Sequence, residues 1–179
     1  YNNLAMIYQN LGAYQKALEY HQQALDIRIE ISGKMHPDVA ASFHNLASVN
    51  ESLGFYQKAL ELDLDALKIR TTIYGEKHPE IATSFNGLAT VYMRLGEYKK
   101  AGEYYKRALD LRNSISGEKH IDTAFSYSGL AALCVKLREN KKALEYYTKA
   151  LNIRKSIYGE THPDIAASYN SLALVSKDL

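Results

Sequence analysis

Apolar residues fall along the chain in two alternating stripes, both at helical spacing. The clearest copy of the first holds Phe85, Leu88, Ala89, Tyr92 and Leu95 at i, i+3, i+4, i+7 and i+10, one face of a helix. Gly96 follows and predicts the helix end, because glycine accepts the left-handed backbone of a C-terminal cap. The second stripe holds Ala101, Tyr105, Ala108 and Leu109. Its alanines are small, so two helix backbones can approach closely. The pattern is therefore a helix, a tight turn and a second helix.

The rest of the chain repeats this unit at a step of 42 residues, as Leu4, Leu46, Leu88, Leu130 and Leu172 show, each followed by Ala. Leu11, Leu53, Leu95, Leu137 and Leu179 keep the same step, as do Ala17, Ala59, Ala101 and Ala143. So do Arg28, Arg70, Arg112 and Arg154, and at the corner His36, His78, His120 and His162. Nine helices are predicted: a stub over 1–11, then 14–31, 38–53, 56–73, 80–95, 98–115, 122–137, 140–157 and 164–178. Gly33, Gly75, Gly117 and Gly159 close the longer helices. Pro37, Pro79 and Pro163 suit the first turn of the next helix, where no backbone donor is missed. Asp38, Glu80, Asp122 and Asp164 then sit at its positive N-terminal end. The expected organisation is one continuous array over 1–179, with units of about 1–36, 37–78, 79–120 and 121–162 and a partial unit 163–179. The chain opens at Tyr1 and inside a helix, so it is expected to be part of a longer protein.

Composition changes this picture little. The formal charge of +2 gives no reason to expect nucleic acid. No apolar run approaches the roughly 20 residues of a membrane span, so no membrane insertion is expected. The single cysteine, Cys134, forbids an intrachain disulfide and is compatible with a reducing compartment, here a cytoplasmic one.

The residues Phe43-x2-Leu46-Ala47, Gly54-x-Tyr56-x2-Ala59 and Ala66 resemble the tetratricopeptide repeat, normally 34 residues long. Each unit here is eight longer, about two helical turns or about 12 Å. The longer unit, with its Ala-Leu-x-Ile-Arg run and Gly-x2-His-Pro-Asp/Glu corner, resembles the kinesin light chain and nephrocystin-3-like type. The resemblance implies an all-α fold, a right-handed α-solenoid of stacked antiparallel helix pairs, and a non-enzymatic protein-interaction scaffold.

Departures from the unit are informative. Asn50, Cys134 and Ser176 replace the stripe tyrosine of Tyr8 and Tyr92, and Asp63 stands where Tyr105 and Tyr147 do. Arg138 and Asn140 replace the turn glycine and its tyrosine, and Ile121 the corner proline. The unit around 122–157 is the least regular, and is expected to be looser or specialised.

No phosphate-binding loop, dinucleotide fingerprint, zinc-protease helix or nucleophile elbow is present, so neither catalysis nor a cofactor is expected. The corner histidines come one per repeat, too far apart for metal ligands about 2 Å from one ion; they are expected to hydrogen-bond backbone at the turn. The recurring arginines are expected either to serve the helix dipole or to pair with the acid ten residues on, as Arg70 with Glu80. Cys134 is expected to be a buried small apolar residue.

The family resemblance places the first helix of each pair on a concave face. The inward positions then carry His44, Asn86, Ser128 and Asn170, with Asn45 beside them, Thr90 one turn on, and Arg94 and Lys136 further along. Asn and Ser offer donors and acceptors suited to an extended peptide backbone. Gly87 and Gly129 are expected to leave room in the floor, and Arg94 and Lys136 to seat acidic side chains. The expected ligand is thus a partner protein or peptide, acidic in the kinesin-light-chain-like reading. The alternative is a regulatory or self-assembling module, with end-to-end association through the exposed stripe near Leu179.

Overall fold

The structure is a computed structural model that describes residues 1–177. Nine α-helices and no strand are found among them: α1 (Asn2–Asn10), α2 (Tyr14–Ser32), α3 (Pro37–Ser52), α4 (Tyr56–Tyr74), α5 (Pro79–Arg94), α6 (Tyr98–Ser116), α7 (Ile121–Lys136), α8 (Asn140–Tyr158) and α9 (Pro163–Lys177). Each predicted helix is present with ends within about a residue of expectation. The last helix end at 178 and the leucine-series member at 179 lie outside the described residues.

The corners obey one chemistry. Gly33, Gly75, Gly117 and Gly159 close the longer helices at φ between 71° and 82°, a region where a side chain would strain. The corner histidines then cap the next helix, their Nδ1 accepting the backbone N–H of Asp38, Glu80, Asp122 and Asp164 at 3.2–3.3 Å. This is the backbone role expected of them. Ile121 replaces proline and the corner tightens, with His120 N–H donating to the Gly117 carbonyl at 3.4 Å, yet His120 still supplies the cap. The irregular fourth unit keeps its helix lengths: α7 has 16 residues and α8 19, as α5 and α6 do. Arg138 meets the turn by taking φ of 60° itself.

Alanine columns set the close packing. Ala17, Ala59, Ala101 and Ala143 are fully buried where α2, α4, α6 and α8 meet their partners. Leu46, Leu88 and Leu130 fill the next layer. Among the odd-numbered helices, α5 touches both α3 and α7 directly, while no even-numbered pair packs to that extent among the described residues. The odd helices therefore form the inner layer of a solenoid and the even helices the outer one.

Candidate functional site

The inner layer carries the expected row of polar residues, and the structure shows what each one touches. His44 on α3 donates from Nδ1 to Oδ1 of Asp63, a buried carboxylate on α4, at 2.7 Å. Asn86 on α5 shares a hydrogen bond with Ser126 on α7 at 3.3 Å. The Thr90 hydroxyl donates to the Asn86 carbonyl at 3.0 Å, so the Tyr105 hydroxyl donates to Thr90, also at 3.0 Å. Ser128 donates to the Ala124 carbonyl and accepts from Arg154 at 2.9 Å. Asn45 is half-buried, while Lys136 and Asn170 are exposed.

Four of the eight predicted side chains lie in two recesses on the inner layer, the first spanning α3 to α7 and the second α7 to α9. His44, Asn86 and Thr90 share a recess of about 330 Å³ with Ser48, Glu51, Asp63 and Tyr105. Ser128 lies in the next, about 310 Å³, with Phe125, Tyr147 and Arg154. Asn45, Arg94, Lys136 and Asn170 line neither. Arg94 instead reaches back to α3, where its Nε donates to Glu51 at 3.0 Å; that hydrogen bond raises its pKa further. Its charge is therefore already matched, which the sequence reading did not anticipate.

The glycines also play a different part from the one expected. A Cβ on residue 129 would stand 2.3 Å from the Tyr105 ring, and one on residue 87 would stand 2.8 Å from Asp63 Oδ2. The room over Gly129 is taken by Tyr105 of the preceding helix, and the room over Gly87 by Asp63. They seat one unit on the next before they seat any ligand.

The recurring arginines reach forward to the following odd helix. Arg28, Arg70, Arg112 and Arg154 each donate to a serine fourteen residues on, Ser42, Ser84, Ser126 and Ser168, at 2.6–3.4 Å. Arg70 also pairs with Glu80 at 2.8 Å, as expected. Burial lowers the pKa of Arg70, Arg112 and Arg154. None of α2, α4 or α6 has a basic residue in its last turn, so the dipole reading does not apply there. The serines recur at the same step of 42 and were the available signal for this ladder.

Cys134 is buried, and its thiol pKa is raised by that burial and by Glu139. Among the described residues no group of three His, Cys, Asp or Glu can hold a metal ion, and no helix is long and apolar enough to cross a membrane.

The tetratricopeptide repeat model matches residues 1–72, 38–112, 80–156 and 131–177. The chain belongs to the tetratricopeptide repeat family. Among solved structures, this tetratricopeptide repeat array is similar to BtubC (BKLC) from P. vanneervenii, with 29% identity, a TM-score of 0.79, and coverage of 97% of this chain and 69% of that one. It is also similar to a putative kinesin light chain from Podosopora anserina with nearly identical TPR-like repeats. Two crystal structures of that protein match at 26% identity, with TM-scores of 0.76 and 0.75, covering 98% of this chain and 83% of theirs. No curated protein matches the sequence. The neighbours support the expected right-handed superhelix of the kinesin light chain type.

Proposed function

We propose that this chain is a protein-interaction scaffold whose concave groove takes up an extended peptide segment of a partner, in the manner of a cargo or adaptor array. The observation that carries this reading is the recess of about 330 Å³ on the inner face, lined by hydroxyl, amide, imidazole and carboxylate groups from α3 and α5. An extended peptide offers one donor and one acceptor per residue and rises about 3.3 Å per residue. Neighbouring helices lie about 8–10 Å apart. About three ligand residues therefore pass each unit, and the Ser48 hydroxyl and the Asn86 amide meet them with both kinds of partner. An acidic ligand side chain gains most at exposed Lys136, and displaces Glu51 to reach Arg94.

The test is a peptide array of acidic, neutral and scrambled sequences, followed by affinity measurement on Asn86→Ala/Arg94→Ala. Loss of capture with unchanged far-UV CD is expected. Capture that survives both changes removes the groove as the site.

A second reading is self-assembly. Leu4, Met6 and Ile7 of α1 are 38–55% exposed, whereas Leu46 and Val49, the counterparts of Leu4 and Ile7, are at most 4% exposed. That apolar face is the end of the stack and suits a further repeat unit or a second copy alike. Sedimentation decides it: a monomer at tens of micromolar excludes it.

A further inference from the structure

Two of the units carry a stacked tyrosine pair on the outer side of their inner helix. Tyr8 lies on Tyr20 with ring centroids 5.4 Å apart, and Lys16 sits 5.3 Å over the Tyr8 ring. Tyr92 lies on Tyr104 at 5.5 Å, with Lys100 at 5.1 Å over Tyr92. The unit between them has Asn50 and Leu62 at these two positions and keeps the lysine, Lys58. The fourth unit loses one ring to Cys134 but keeps Tyr146, which stacks on Tyr127. Of the units with both positions described, the second alone lacks both rings.

What remains is a notch of about 460 Å³ between α2 and α4, with α3 as its floor. Leu18, Leu46 and Leu62 give it apolar walls, and Glu19, Gln22, Gln23, Asn50 and Lys58 supply its polar groups. Asn50 commits its Nδ2 to the Leu46 carbonyl at 2.8 Å, which leaves Oδ1 as an acceptor facing the space. Lys58 is tied at its exposed end to Glu61 at 3.1 Å, a surface pair that costs little to shift.

We infer that this notch is a socket for an aromatic side chain, tyrosine above all, carried by a partner polypeptide. The sister units show the occupant in place: a ring over the inner helix with a lysine ammonium above it. A tyrosine entering here recovers the buried apolar area, the stacking position against the Leu62 wall and the cation–π contact with Lys58. Its hydroxyl meets the Asn50 amide oxygen, a group that the sister units do not have. The notch opens on the opposite side of α3 from the groove, so the inference stands or falls independently of the groove reading.

The probe is p-cresol, the tyrosine side chain as a free molecule, titrated into the whole chain while the methyl signals of Leu18, Leu46 and Leu62 are followed by NMR. Saturable shifts at those methyls are expected, in the millimolar range. Cyclohexanol, with similar size but no π face, is expected to bind about tenfold more weakly. Asn50→Tyr/Leu62→Tyr, which installs the pair of the sister units, is expected to abolish the shifts while CD stays helical. Lys58→Met is expected to weaken p-cresol severalfold and leave cyclohexanol unchanged. Absent shifts at these methyls in the parent, or shifts at Leu18 and Leu46 that persist in the double variant, overturn the socket. Equal binding of cyclohexanol overturns its aromatic character even if the double variant fails to fold.

Discussion

Gly102, Gly129 and Gly87 all lie inside helices, yet replacing each by alanine has a different outcome. Alanine is better than glycine inside a helix by about 1 kcal/mol, so each substitution starts with that gain. At Gly102 the new Cβ meets only Leu133 Cδ2, at 3.3 Å, and a methyl at the end of a leucine can move a few tenths of an ångström. The expected net effect of Gly102→Ala is stabilisation by about 0.5–1 kcal/mol. At Gly129 the new Cβ lies 2.3, 2.7 and 2.8 Å from three carbons of the Tyr105 ring. That ring cannot swing away, since it is 4% exposed and its hydroxyl is held by Thr90 at 3.0 Å. Overpacking costs about 1–3 kcal/mol, and displacing the ring forfeits a hydrogen bond worth about 1 kcal/mol. Gly129→Ala is therefore expected to destabilise by about 1–3 kcal/mol net. Gly87→Ala falls between, because its clash is with Asp63 Oδ2, the end of a short side chain whose other oxygen is fastened to His44.

Urea unfolding followed by far-UV CD at several wavelengths measures this. Gly102→Ala should unfold at higher denaturant than the parent and Gly129→Ala at lower. Gly129 and Tyr105 belong to successive units, so the damage falls on an interface between them. In a stack held by nearest-neighbour contacts, a weakened interface should also broaden the transition. A Gly129→Ala midpoint at or above the parent's refutes the packing argument.

Arg138→Gly should stabilise by about 0.5–1 kcal/mol, since a side chain at φ 60° carries left-handed strain that the turn glycines of the other units avoid; a lowered urea midpoint counts against it. Arg70→Met should cost about 2–3 kcal/mol in the same assay, because Arg70 is buried and holds both Ser84 and Glu80; a neutral result would mean the ladder contributes only shape. His21 should titrate below its ordinary value of 6.5, because burial and then Arg28 disfavour its charge. The unfolded chain then takes the proton more readily, so stability should fall as pH drops through about 6.5. Imidazole NMR gives the midpoint directly, and titration at or above 6.5 refutes it.

The helices were legible because every signal repeats. One stripe gives a single amphipathic helix, and the same leucine, alanine and glycine offsets at a step of 42 turn it into a stack of helix pairs. The corner histidines were legible for the same reason: a side chain that recurs next to a helix start is placed to cap it. The site was less legible. The inward face came from the family resemblance, which says which helix lines the groove; helical phase then sorts its positions, and His44, Asn86, Thr90 and Ser128 line recesses on the inner layer. What those residues bond to depends on the neighbouring unit, and phase within one helix says nothing about that. Glu51 reaching Arg94 from the preceding inner helix is a contact across 43 residues. Tyr105 lying over Gly129 is a contact between an outer helix and the inner helix after it.

The same distinction explains where the chain is free to vary. Positions 17, 59, 101 and 143 are alanine in every unit because each lies between two backbones and has no second solution. The column 21, 63, 105 and 147 reads His, Asp, Tyr and Tyr, so its size and charge change from unit to unit. That column meets the next inner helix, where the opposing residue can shrink to compensate. Gly129 is small opposite the large Tyr105, and Gly87 is small opposite an aspartate that must also reach His44. Variation there is therefore paired across an interface and preserves the stack. Asn50 and Leu62 break that rule. Both members of a pair are reduced together, on the face directed away from the groove, and nothing in the neighbouring helices grows to fill the space. The notch is open to solvent, with exposed Glu19, Gln22, Gln23 and Lys58 around it, so its apolar walls face water where the sister units place rings against them. A complementary ring from another chain is the compensation that the pattern lacks.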